Sequence, residues 1–329
     1  MIEFENKVSH WINKDYDNKL GIRLLKARID YLSEVLFKDY RPTMAGHHGS
    51  FRSRLVNWIN SAPTDAHQLI MFRMLEHLFF IGSKDLDSLY LTAYSRHVIS
   101  WLIEIYNISI VGLDAEDLIK QRVSETLFTA ITDSFNLGDF LRVNNIHGVS
   151  FRFSWEQALK FNWDANVFAN HVMQSKSNII LFEDFVGSGS QMTKAVIEAC
   201  SLPNQPNVLL CPLIICPDGA DLARNLCVAY PNLTFKPILE LQESSFVKEI
   251  PQANEPKFFA EIRSLVNALH PQVTGTNKWT QNYGPFGYEK TGALVVTANN
   301  CPDNTLPILH HKSDAPWHPL FHRVTRDGI

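Results

Sequence analysis

From residue 179 to residue 239, short apolar runs alternate with helical stretches, and this alternation limits the fold more than any other feature of the chain. The apolar or helical segments fall at 179–182, 192–200, 208–216, 218–230 and 233–239. Runs this short, each separated from the next by one helix, are the pattern of βαβ units whose strands are buried on both faces. Pro212 and Pro237 interrupt the pattern, because proline removes a ladder hydrogen bond; they predict strands that are shorter or nearer a sheet edge. A helix over 256–270, a Gly-rich loop over 275–287 and a strand over 292–297 follow.

The first third is helical instead. Leu86, Leu89, Tyr90, Ala93, Val98, Trp101, Leu102 and Ile105 form one apolar stripe at helical spacing. Pro63-Thr64-Asp65 opens a helix that the periodicity extends through Phe72, Leu75 and Phe79 to a stop at Gly82. Asp114 has the position of an N-cap for a helix to Gln121. The expected organisation is an α-helical region over 1–121 and an α/β domain over 122–329. That domain should carry a mainly parallel, doubly wound sheet.

A net charge of −4, with no long run of one sign, gives no chain-wide electrostatic case for nucleic acid or an anionic membrane. The five cysteines contain no CxxC pair and read as reduced thiols. With a polar N-terminus and no long apolar stretch, the expectation is a cytoplasmic protein without a membrane partner.

The stretch Ile179-Ile180-Leu181-Phe182-Glu183-Asp184-Phe185-Val186-Gly187-Ser188-Gly189-Ser190-Gln191 carries the chemistry. Four apolar residues predict a buried strand ending on two acids, followed by a Gly/Ser loop and a helix near Met192. In a parallel sheet such a loop lies at the carboxyl edge, where ligands bind. Its backbone N–H groups, turned inward by the glycines, suit an anion. The carboxylates of Glu183 and Asp184 can accept from ribose hydroxyls or help to hold Mg²⁺. Two other readings stay open: a Rossmann-type loop and a purely structural turn. A dinucleotide fingerprint needs a third glycine where Met192 stands, and a Walker A loop needs a Gly-Lys-Ser/Thr that is missing.

This stretch resembles the 5-phosphoribosyl-1-pyrophosphate (PRPP) motif of type I phosphoribosyltransferases. The resemblance implies that Glu183 and Asp184 act catalytically by holding the ribose hydroxyls. Phe185, Val186, Gly187, Ser188, Gly189, Ser190 and Gln191 would form the ribose-phosphate site. Gly187 and Gln191 depart from the family pattern and remove hydroxyl contacts while keeping the backbone donors.

Three further stretches narrow the resemblance: Thr132-Asp133-Ser134-Phe135 with Asn144-Asn145, the run from Asn299 to Pro307, and Trp317-His318-Pro319-Leu320-Phe321-His322-Arg323. With the motif they are similar to the phosphoribosyltransferase-like effector domain of bacterial conflict systems, some encoded beside retron reverse transcriptases. That resemblance implies an anti-phage toxin or effector held in check by protein partners, with a reverse transcriptase and its nucleic acid as candidates. It makes Asp133, Asn144, Asn299, Asn300 and Asn304 candidate contacts for a base or pyrophosphate, the alternative for the asparagines being an Asx-rich surface turn. Arg142 and Arg152 are the nearest cations to a pyrophosphate, or else solvated surface charges.

His310, His311, His318 and His322 match no common zinc spacing, and His47-His48 reads as a surface turn. Trp155, Trp163 and Phe168 read as core. The expected function is displacement at the ribose anomeric carbon of PRPP or a nucleotide, by transfer or cleavage. The rivals are a non-catalytic nucleotide sensor or docking subunit and an ordinary salvage transferase.

Overall fold

The computed structural model describes residues 2–15, 19–42, 49–147, 153–160, 163–275 and 283–324. It is α/β, with a helical N-terminal region and a mainly parallel central sheet. In chain order its strands are β1 (Phe79–Ile81), β2 (Thr126–Ala130), β3 (Phe153–Ser154), β4 (Asn178–Val186), β5 (Asn207–Ile215), β6 (Leu233–Phe235), β7 (Leu239–Glu240), β8 (Tyr283–Gly284), β9 (Gly287–Tyr288) and β10 (Val295–Thr297). The chain divides into two compact units, one of Asp85–Gln242 and one of Met1–Lys84 with Glu243–Ile329.

The Asp85–Gln242 unit holds the main sheet, in the order β3-β2-β4-β5, with β6 and then β7 along the outer side of β5. Every pairing in it is parallel. Alternate residues of the central strands serve opposite faces, which is why the apolar runs are unbroken. Ile179, Leu181, Val208 and Leu210 pack with Met192, Ala195, Val196, Ala220 and Ala223 of the helices Ser190–Cys200 and Pro217–Ala229. On the other face, Phe182 meets Phe140 at 4.4 Å between ring centroids, and Trp101 Nε1 donates to Thr234 Oγ1 over 3.1 Å. Trp101 lies on the helix Ile99–Tyr106, which continues the rod begun by Ser83–Thr92 through a π-helical turn at Ala93–Val98. The cut expected near residue 121 therefore falls inside this unit: a parallel sheet needs both faces covered, and the rod supplies the cover.

Three local expectations change. The strand β2, which the apolar runs of residues 179–239 do not include, precedes Thr132. Strand β4 does not end on the acids but runs through them to Val186. Pro212 sits in β5 at the centre of the sheet, paired with Glu183. Its carbonyl accepts from Ile238 N over 3.0 Å, so its missing donor faces the gap at residues 236–238 where β6 stops and β7 begins. The ladder is broken where the prolines cannot support it, and Pro212 keeps its central place.

In the other unit, β1 and β10 pair in parallel and β8 and β9 form an antiparallel hairpin. The strand expected over 292–297 is thus β10, outside the main sheet. The helix opened by Thr64 covers Asp65–Met74, tightens to a 3₁₀ turn at Leu75–His77, and gives way to β1. Helical periodicity carried it on to Phe79, but Phe79 N donates to Leu294 O over 2.8 Å, a long-range ladder bond that local pattern cannot show. The C-terminal residues are core here. Trp317, Leu320 and Phe321 are buried with Phe37, Phe51 and Trp58, and Trp58 Nε1 donates to Ile308 O over 2.7 Å. Arg54, buried, donates through Nε to Leu320 O over 2.8 Å.

Candidate functional site at the ends of β2 and β4

The chain passes from β2 to β3 on one side, then crosses to β4 on the other side of β2. The winding direction therefore reverses between β2 and β4, and the crevice beyond their carboxyl ends is where such sheets take ligands. Strand β2 stops level with Phe182, while β4 continues to Val186 against β5. The last ladder bond between β2 and β4 is Ile131 N to Phe182 O, 2.8 Å. Beyond it, residues 132–134 turn across the uncovered side of the two acids.

Glu183 is 5% exposed, and both its carboxyl oxygens are occupied. Oε2 accepts from the backbone N–H of Thr132 over 2.8 Å. Oε1 accepts from Thr132 Oγ1 and from Ser134 Oγ, the latter over 2.6 Å. Burial first, and the neighbouring Asp184 charge second, push the Glu183 carboxyl well above the usual carboxylate range, to about 8. Those hydrogen bonds oppose the rise but do not cancel it.

Ser134 touches both acids. Its Oγ also lies 2.7 Å from Asp184 Oδ1, the oxygen that accepts from Phe185 N over 2.8 Å. Asp184, half-buried, is the more open acid of the pair. Behind the turn, Phe135 stacks on Phe182 at 5.0 Å and meets the edge of Tyr90 at 5.5 Å. Burial raises the Tyr90 hydroxyl pKa, with help from the charges of Asp184, Asp139 and Asp87.

Gly187–Gln191 follows as a tight turn into the helix Ser190–Cys200, with Gly189 in the left-handed region at φ 88°. Among the described residues, the backbone N–H groups of Gly187, Ser188, Gly189, Ser190 and Gln191 donate to no protein acceptor. The first helical hydrogen bond reaching back into the turn is Thr193 N to Gly189 O, 2.9 Å. Five consecutive free donors at a helix start form an anion cradle. Its floor is the second helix, Pro217–Ala229: a Cβ on Gly219 would stand 2.7 Å from Gly187 O and 2.9 Å from Val186 Cγ1. Only a glycine lets the two segments approach this closely.

A parallel sheet with an acid pair at its switch point and free backbone donors on the next turn is the arrangement expected of a phosphoribosyltransferase-like domain. The PRTase-CE family model matches residues 55–323. The chain belongs to the PRTase-CE family. No curated protein matches it.

Within this PRTase-CE domain, the structure brings together Glu183, Asp184, Phe185, Val186 and the loop Gly187 to Gln191, with Asp133 exposed on the turn between Thr132 and Ser134. Phe185 and Val186 are buried and support the loop from beneath. Gln191 is exposed. Asn144 is placed elsewhere: its Nδ2 donates to Phe140 O and Tyr90 O, closing the helix Leu137–Val143. Asn299, Asn300 and Asn304 belong to the other compact unit. There Asn300 holds Val324 through both backbone groups, and buried Asn304 donates to Thr291 Oγ1. Arg142 pairs with Asp139 on the surface, and Arg152 and His47-His48 lie outside the described residues. Trp155 and Phe168 are core, as their spacing implies. His310 is buried and neutral, burial lowering its pKa to about 3.

Thr132, Ser134 and Gly219 were missed as contributors to the site. Thr132-Asp133-Ser134 stood out as a stretch, but its side chains acquire a role only when β2 is laid beside β4. Gly219 is an ordinary helix residue in sequence.

Among the described residues no group of three or more His, Cys, Asp or Glu side chains is arranged to hold a metal. No described helix is long and apolar enough to cross a membrane.

Proposed function

We propose that the cradle Gly187–Gln191 binds the 5-phosphate of PRPP or a nucleotide, and that Asp184 faces the ribose. The observation that supports this most directly is the row of five free backbone donors beyond the carboxyl end of β4, beside a carboxylate. A phosphate takes hydrogen bonds from such donors without needing a side-chain cation, so the loss of hydroxyls at Gly187 and Gln191 leaves the cradle serviceable. With the ribose fixed, the reaction is displacement at the anomeric carbon. A bond forms from the acceptor atom to that carbon while the bond to pyrophosphate, or to a base, breaks and the leaving group departs with the electron pair. The domain's part is to hold the sugar in line with its acceptor.

The resemblance to effector domains of conflict systems supports a role in bacterial anti-phage defence, with protein partners restraining the activity. Those partners would include a retron reverse transcriptase with its nucleic acid. A non-catalytic nucleotide sensor is the second reading. It is favoured by one specific observation: the first acid of the pair is spent on internal hydrogen bonds.

The test is calorimetric titration of PRPP into the pure protein, with and without Mg²⁺, beside Asp184→Asn. Wild-type binding that Asp184→Asn removes supports the assignment, and a folded wild type that takes up no PRPP overturns it. Incubation of the bound complex then separates the two readings, because release of pyrophosphate or base requires turnover. Expression in bacteria with and without Asp184→Asn addresses the toxin role.

A further inference from the structure

We propose that the helix Ile22–Val35 is a self-association surface, pairing antiparallel with the same helix of a second copy of this chain through Leu24, Ala27, Tyr31 and Val35. The proposal is independent of the phosphoribosyl reading, and the helix lies outside residues 55–323 that the family model matches.

This helix has two apolar faces where a surface helix has one. Ile22, Leu25, Ile29 and Ser33 are buried, the first three in the core of their unit. At about 3.6 residues per turn, Leu24, Ala27, Tyr31 and Val35 fall on the opposite side, in a second stripe at helical spacing. That stripe stands in solvent: Leu24 is 55% exposed, Tyr31 66% and Val35 45%, and Ala27 is exposed as well. A single exposed apolar side chain is ordinary, but a continuous helical stripe of them is the seam along which two helices pack.

The order of size and charge along the stripe selects the occupant. Laid antiparallel on a second copy, the stripe sets Tyr31 against Ala27 of that copy and Leu24 against its Val35. At the middle of the seam a large side chain then fills the space beside a small one. Parallel pairing would instead set Tyr31 on Tyr31 and Ala27 on Ala27. Charge points the same way. Arg23 and Glu34 are exposed on one side of the stripe, near its two ends, and among the described residues neither has an ion pair in its own chain. Antiparallel pairing brings each against the opposite charge of the second copy, and the two-fold symmetry makes that contact twice. The other charges bordering the stripe are already paired within the chain: Asp30 with Lys26 and Arg52, and Arg28 with Glu76. The helix has 14 residues. A pair of such helices buries less than the ~800 Å² per partner of a standard interface, so the dimer should be weak, with dissociation on the order of 10 μM.

Sedimentation equilibrium of the full chain at low ionic strength, loaded from about 1 to about 200 μM, should show the mass rising from 37.6 kDa toward twice that value. Tyr31→Glu puts a charge on the seam without touching the core. It should stay monomeric over the same range, with melting behaviour unchanged at the lowest loading. Arg23→Glu and Glu34→Arg should each weaken self-association about tenfold, because each sets like charges face to face twice. An equimolar mixture of those two variants should recover the wild-type affinity as a heterodimer, since both contacts again join opposite charges. A wild type that stays monomeric throughout would overturn the proposal and leave the stripe to another partner. A dimer indifferent to Tyr31→Glu would overturn it by placing the interface elsewhere. A mixture that associates no better than either variant alone would overturn the antiparallel arrangement.

Discussion

The Thr132 backbone N–H donates to Glu183 Oε2 over 2.8 Å, joining the ends of two strands at the point where the sheet changes its winding direction. Because this places the carboxyl in a buried setting beside a second acid, the bond has a consequence for stability. The folded group titrates near 8, against a reference of 4.5. Between those values the native state holds a proton that the unfolded chain releases, so the contribution is full below about 4.5 and is lost as pH rises through about 8. Melting temperature measured from pH 5 to pH 9 (about the span of the shift) should fall more steeply for wild type than for Glu183→Gln. Equal slopes would show that Glu183 does not carry the proton.

Gly219→Ala tests the floor of the cradle. The new methyl meets Gly187 O at 2.7 Å, a backbone atom that can yield only if the loop moves. The expected cost is about 1–3 kcal/mol in denaturant unfolding, together with weakened PRPP binding. Val228→Ala, farther along the same helix and exposed, serves as the control and should leave binding nearly unchanged. Loss of stability without any effect on binding would detach the helix from the site.

The C-terminal tail should prove structural. Removing the chain from Trp317 onward takes away three buried side chains, Trp317, Leu320 and Phe321, and the acceptor of the Arg54 Nε bond. Losing one large core side chain costs about 3–5 kcal/mol, so the truncated protein should fail to fold the unit of residues 1–84 and 243–329. A truncated protein with wild-type melting behaviour would refute this.

Trp58→Phe gives a finer probe of the same core. It keeps most of the apolar volume but removes the shorter of two indole donors to Ile308 O, the one at 2.7 Å, while Trp317 Nε1 still donates over 3.3 Å. The expected loss is about 0.5–1.5 kcal/mol in denaturant unfolding, with PRPP affinity unchanged.

The sheet and the Gly/Ser turn were legible in the sequence because each depends on local order. Runs such as Ile179 to Phe182 must be strands buried on both faces, and the glycines and serines after Val186 must turn the backbone. The fold class, the strand–turn–helix at Ile179 to Gln191 and the core role of Trp155 all follow from neighbours within a few residues. What tertiary structure alone decided involves distant partners. The acids of β4 look equivalent in sequence, yet β2, some fifty residues earlier, ends one residue short of them and sends Thr132 and Ser134 onto Glu183. Asn300 and Asn304 resemble ligand contacts until the tail and the hairpin fill their hydrogen bonds. Phe79 fits a helical stripe until Leu294 offers a ladder bond. Hydrogen-bonding capacity is a local property of each residue, but which partner uses it is settled only when segments far apart in the chain are packed against one another.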